Sequence, residues 1–167
     1  MQTFKFNLVF MKFHLRASAL VVFITLATAL VGSFFSSSGM PWYDSALVQP
    51  SSTPPKWVFP IAWNIIFLCT AASAIILWSK PLSPGRRRWI FGLFALNAVL
   101  NVLWSYLFFS LHKIGPAFGE MLLLEVTVLS LMILAWKPSK LASLLLLPYL
   151  GWIAFATYLT SLIYQLN

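Results

Sequence analysis

The sequence is short of acids, of cysteine and of charge altogether. Three Asp and Glu residues stand against eleven Lys and Arg, so the paired carboxylates that acid–base catalysis uses have few candidates. The single cysteine, Cys69, excludes an intramolecular disulfide and any cysteine-based metal framework. Inside an apolar run it reads as a small buried hydrophobe. The two histidines, His14 and His112, fall near the N-terminus and at the end of an apolar run, positions that favour solvation over catalysis. No metal site is expected from these residues. Charged residues make up 8% of the chain, against about 25% in soluble proteins.

What is abundant is apolar. The chain is 60% hydrophobic and 17% aromatic, with a mean hydropathy of +0.88, which makes it an integral membrane protein. Five apolar runs cover about 15–35, 57–78, 89–111, 117–136 and 141–164. Each is long enough to cross roughly 30 Å of hydrocarbon at about 1.5 Å per residue. The expected fold is an all-α membrane protein, a single bundle of five transmembrane helices over 15–167, preceded by a basic segment at 1–14. The longest connection is a loop over 36–56, ending in the stiff stretch Thr53-Pro-Pro-Lys-Trp57.

A net charge of +8 raises the question of nucleic acid, but the basic residues sit in short clusters between apolar runs, where they set membrane orientation instead. Lys5, Lys12, Arg16, Lys80, Arg86, Arg87, Arg88, Lys137 and Lys140 fall on one side; Lys56 and Lys113 fall on the other. Nine against two predicts a cytoplasmic N-terminus and an outer C-terminus, with a bacterial cell membrane as the expected location. The stretch from Lys5 to Ala29 also has the outline of a secretory signal peptide, but Ala17 to Phe35 exceeds the usual apolar region of about 7–15 residues. A membrane span is the preferred reading.

Four of the eight tryptophans, Trp57, Trp78, Trp89 and Trp136, mark span ends, where an indole is favoured at the headgroup level. Trp42 belongs to the first loop, and Trp63, Trp104 and Trp152 lie inside spans. Counted inward from the outer end, Trp63 and Phe67 are about 9 and 15 Å deep, Asn101 and Trp104 about 15 and 10 Å, Trp152 and Ala156 about 18 and 12 Å. Asn97, Asn101, Trp104 and Phe108 follow one helical stripe. Read blandly, the two asparagines tie helices together; read functionally, amides and indoles under a long loop form a pocket for a flat, largely apolar ligand. Glu120 and Glu125 are the acids within a span; Glu120 is near the outer interface and in reach of water, whereas Glu125 is about two turns in.

These residues carry a resemblance. Trp42-Tyr43, Thr53-Pro-Pro-Lys-Trp-Val-Phe59 with Trp63, Asn97-x-x-x-Asn101-x-x-Trp104-Ser105 and Pro148-Tyr-Leu-Gly-Trp152-x-x-Phe-Ala-Thr157 together resemble the TspO/MBR proteins, the tryptophan-rich sensory proteins related to the translocator protein, or peripheral benzodiazepine receptor. The resemblance implies a five-helix bundle, often a homodimer, that binds protoporphyrin IX, haem and other flat hydrophobic ligands, with no obligatory cofactor. It maps the ligand site onto Tyr43, Phe59, Trp63, Phe67, Asn97, Asn101, Trp104, Tyr149, Trp152, Ala156 and Leu159. It departs from the family at Gln49 and Ser52, where relatives commonly carry lysine and tryptophan in the loop. No basic residue follows Tyr158 or Tyr164, so the sterol pattern attributed to the last helix is not met.

The leading expectation is a tetrapyrrole-binding membrane protein with a sensory, transport or scavenging role. The alternatives are light- and oxygen-dependent porphyrin degradation, in which Trp63 and Trp152 would be the reactive groups, a proton-coupled transporter, and a structural membrane subunit. No conventional catalytic residue is assigned.

Overall fold

In the computed structural model, the backbone is described for residues 2–167 and the side chains from residue 15 onward. The side chains of Lys5, Lys12 and His14 therefore lie outside the described residues. The elements are α1 (Gln2–Ala46), α2 (Val58–Trp78), α3 (Pro84–Ser105) continued by a π-helical turn (Tyr106–Ser110), α4 (Ile114–Trp136), the short α5 (Lys140–Leu144) and α6 (Leu147–Leu166). Five helical segments are long and apolar enough to cross a membrane, so the protein is an all-α membrane bundle.

The spans form a ring. α1 packs on α2, α3 and the π-helical turn; α4 packs on α3, α5 and α6; α2 closes the ring against α5 and α6. At one end, α1 begins and α2 meets α3. This basic end carries Arg16, Lys80, Arg86, Arg87, Arg88, Lys137 and Lys140. At the opposite end lies the first loop, and the side chain of the C-terminal Asn167 is tied to it: Oδ1 accepts from Val48 N at 2.9 Å and Nδ2 donates to Val48 O at 3.3 Å.

The first loop is shorter than expected. The predicted first helix over 15–35 and loop over 36–56 give way to a helix that runs to Ala46, through Pro41. Serine and proline in Ser36-Ser-Ser-Gly-Met-Pro41 suggest a loop, because both compete with helical hydrogen bonding. Here the hydroxyls of Ser37, Ser38 and Ser45 donate back to the carbonyls of Phe34, Phe35 and Pro41, the local arrangement that lets serine stay inside a helix. Tertiary packing supplies the rest. Trp42 stacks on His112 with centroids 4.0 Å apart and meets Phe108 edge-on at 5.7 Å. Trp42 and Tyr43 are thus helical residues of α1 packed against the bundle.

Two further boundaries move. α3 starts at Pro84, with Ser83 at the N-cap position, so Arg86–Arg88 lie within its first two turns instead of belonging to the second loop; proline is preorganised for that position. The last run breaks after Leu144 and resumes at Leu147, because Pro148 has no N–H to give to the preceding turn. The broken segment is held from the side: Ser73 Oγ donates to Ala142 O at 2.7 Å and Ser143 Oγ to Met132 O at 2.8 Å.

Candidate functional site

The stripe on α3 meets α4 and α6 in a closed polar network. Asn101 Nδ2 donates to the Tyr149 hydroxyl at 3.0 Å, that hydroxyl donates to Asn97 Oδ1 at 3.1 Å, and Asn97 Nδ2 donates to Thr127 Oγ1 at 3.2 Å. Thr127 Oγ1 in turn donates to Leu124 O at 2.7 Å. All four side chains are buried. With no water in the hydrocarbon to satisfy them, they satisfy one another. The asparagines tie helices, and they also line a cavity.

That cavity, of about 210 Å³, lies between α1, α2 and α3, with Phe67, Asn97, Asn101 and Tyr149 on its wall. From the network it extends toward the basic end, past Thr28, Thr70 and Ala74 to Ala17 and Trp78. Four of the eleven predicted ligand residues therefore converge on one space, although its body lies toward the basic end and not directly beneath the first loop. Trp63 flanks it from α2, packing on Phe67 at 5.6 Å and on Tyr149 at 6.3 Å.

The other predicted residues lie toward the loop end, packed ring on ring. Phe59 meets Trp152 edge-on at 5.7 Å, and Ala156 packs with Trp152 against the same apolar core. Tyr43, Phe59, Trp104 and Leu159 share a second cluster centred on Phe108. Phe108 is 2% exposed and stacks on Trp104 at 5.3 Å while contacting Tyr43 at 6.1 Å.

Phe108 and Phe109 were not among the predicted ligand residues, although Phe108 lay on the recognised stripe. The π-helical turn inserts an extra residue and turns both rings inward. Thr127 and Thr70 carried no local signal; Thr127 is found only through its partner 30 residues away.

The two acids exchange roles relative to expectation. Glu120, expected to reach water, is 8% exposed, and both its oxygens are buried without a hydrogen-bond partner among the described residues. Ala117, Met121 and Leu124 hold the same face of α4 inside the bundle. Glu125, expected to be the harder to excuse, lines an open groove on the outer surface between α4 and α6, beside Gly151 and Ala154. The antiparallel register explains the level of Glu120: seven residues from Thr127 on α4 corresponds to seven residues from Asn97 on α3, which is Trp104. The Trp104 indole N–H is likewise buried without a partner.

Comparison with known proteins decides the family. The TspO/MBR family model matches residues 6–165. The chain belongs to the TspO/MBR family. Among its TspO/MBR relatives, the tryptophan-rich protein TspO of Chlorobaculum tepidum is 36% identical over 153 residues, covering 89% of this chain and 94% of the relative. Protein CrtK of Rhodobacter capsulatus is 32% identical over 150 residues, covering 88% and 91%. The human translocator protein is 32% identical over 149 residues, covering 86% and 87%. A TspO/MBR chain with this architecture is an integral, multi-pass membrane protein.

Proposed function

We propose that the protein binds a tetrapyrrole, protoporphyrin IX or haem, in the cavity at the Asn97–Tyr149–Asn101 network, extended into the adjoining aromatic layer at the loop end, in a sensory, transport or scavenging role. The observation that carries this reading is the convergence of Phe67, Asn97, Asn101 and Tyr149 on one cavity, with Trp63 packed against two of them. Aromatic faces suit a flat macrocycle, and amide and hydroxyl groups supply a few fixed polar contacts.

Size adds a requirement. The cavity of about 210 Å³ is below the roughly 300–1,000 Å³ of sites for drug-sized ligands, so seating a macrocycle requires the neighbouring aromatic layer to part. α1 is the wall of the cavity that faces the bilayer. Its face toward the bilayer is largely exposed, with Leu30 at 71%, while its far end is held against the π-helical turn through Trp42 and Gly39. Titration of the purified protein with protoporphyrin IX, read by tryptophan fluorescence, tests the proposal.

A second reading, proton-coupled transport, is favoured by the buried and unpartnered Glu120, since ionisable groups inside a bundle commonly serve proton relays. Porphyrin uptake into proteoliposomes that survives Glu120→Gln unchanged excludes it. We also propose the cell membrane as location, with the basic end in the cytoplasm.

A further inference from the structure

The lower part of the cavity, away from the Asn–Tyr network, belongs to no residue of the tetrapyrrole reading. Its walls are the α1 span from Ala17 to Thr28, the last turns of α2, from Thr70 to Trp78, and the middle of α3, at Phe91, Phe94, Ala95 and Ala98. Two of the α1 residues on this wall, Leu20 and Ile24, are also exposed on the outside of the bundle, so the cavity borders the lipid.

The rim at the basic end is cationic. Arg16 directly precedes Ala17, which is buried and lines the cavity. Arg87 stacks on the Trp78 ring at 5.3 Å. Its guanidinium is held there by donating Nη1 to Trp78 O at 3.4 Å and Nη2 to Lys80 O at 3.2 Å. Arg86 and Arg88 stand beside it within the first two turns of α3. No acid neutralises this rim: of the three in the chain, Asp44 pairs with Lys56 at the opposite end, and Glu120 and Glu125 belong to α4.

An apolar slot open to lipid beside an unneutralised arginine rim, of which Arg87 is held in place, matches one kind of molecule. We propose that this is a binding site for an anionic phospholipid, with one acyl chain in the slot between α1, α2 and α3 and the phosphate held by Arg16, Arg86 and Arg87. The tail gains little by leaving other tails for an equally apolar protein wall. The slot therefore fixes position, and the rim supplies selectivity through charge-assisted hydrogen bonds to the phosphate. The slot is the basic-end part of the same cavity that carries the tetrapyrrole reading, and the test below is made without tetrapyrrole, so either can fail alone.

The test is native mass spectrometry of the full chain in detergent, supplied with equal amounts of phosphatidylglycerol and phosphatidylcholine of the same tails. The expected result is retention of one phosphatidylglycerol in preference to phosphatidylcholine by at least about 10-fold. Arg16→Gln with Arg87→Gln brings the two lipids near parity. Ala98→Phe, which fills the slot and leaves the rim intact, abolishes retention; Ala95→Leu, at a more exposed lining position, reads the same effect should the larger ring disturb folding. Equal retention of both lipids by the unaltered protein overturns the site. So does an unchanged phosphatidylglycerol preference in both filled variants, which would reduce the effect to surface charge.

Discussion

The hydroxyl of Tyr149 donates to Asn97 Oδ1 across 3.1 Å while accepting from Asn101, so one side chain of α6 closes the hydrogen-bonding needs of two amides on α3. Tyr149→Phe removes the hydroxyl and leaves a donor and an acceptor buried without partners. The expected cost is about 1–2 kcal/mol, within the range for polar contacts between membrane helices and for stranded buried groups. Reversible unfolding in mixed micelles measures it. A double-mutant cycle with Asn97→Leu should be strongly non-additive, because the two residues share one contact.

Gly39 rests against the π-helical turn. A Cβ built on it would collide with the Phe109 carbonyl oxygen and side chain, whereas one on Gly119 meets open space. Gly39→Ala should therefore lower the thermal midpoint by an amount corresponding to about 1–3 kcal/mol. Gly119→Ala should be neutral or stabilising by up to about 1 kcal/mol, since alanine is the better helix former. Equal melting of the two variants would show that α1 is not seated on Phe109.

Hydropathy alone reaches the five spans, because crossing a membrane demands length and apolarity and little else. What it misses is set by contacts between distant residues. The extension of α1 to Ala46 depends on Trp42 finding His112 and Phe108, which no local pattern around Pro41 reveals. The stripe Asn97, Asn101, Trp104, Phe108 is legible as a face, but its partners Thr127 and Tyr149 are not. Depth counting placed the aromatics and amides within the bundle, yet it could not tell which rings pack against each other and which border a cavity. Glu120 and Glu125 differ from expectation for the same reason: position along α4 sets their depth, but rotation about its axis sets which of them faces the bundle.

Rotation has an energetic consequence. Glu120 is buried with unpartnered oxygens, and such a group costs stability that function must justify. Glu120→Met, similar in length and apolar, should raise the thermal midpoint. Glu125→Met, at the edge of the outer groove, should change stability by no more than about 0.5 kcal/mol. Parallel thermal melts in one detergent check both.

The proposed orientation rests on the basic end. A reporter fused after Asn167 should be active on the outer side of the membrane and one placed at the Lys80–Gly85 connection on the cytoplasmic side. The reverse pattern would invert every inside and outside assignment.

The proposed tetrapyrrole site depends on the aromatic residues around the Asn97–Tyr149–Asn101 network. Protoporphyrin IX titrated into the purified full chain should quench tryptophan fluorescence saturably. Trp63→Ala and Trp152→Ala should each weaken the affinity by about 10-fold or more, as loss of a buried aromatic anchor does. Saturable binding with unchanged affinity in both variants would place the ligand elsewhere.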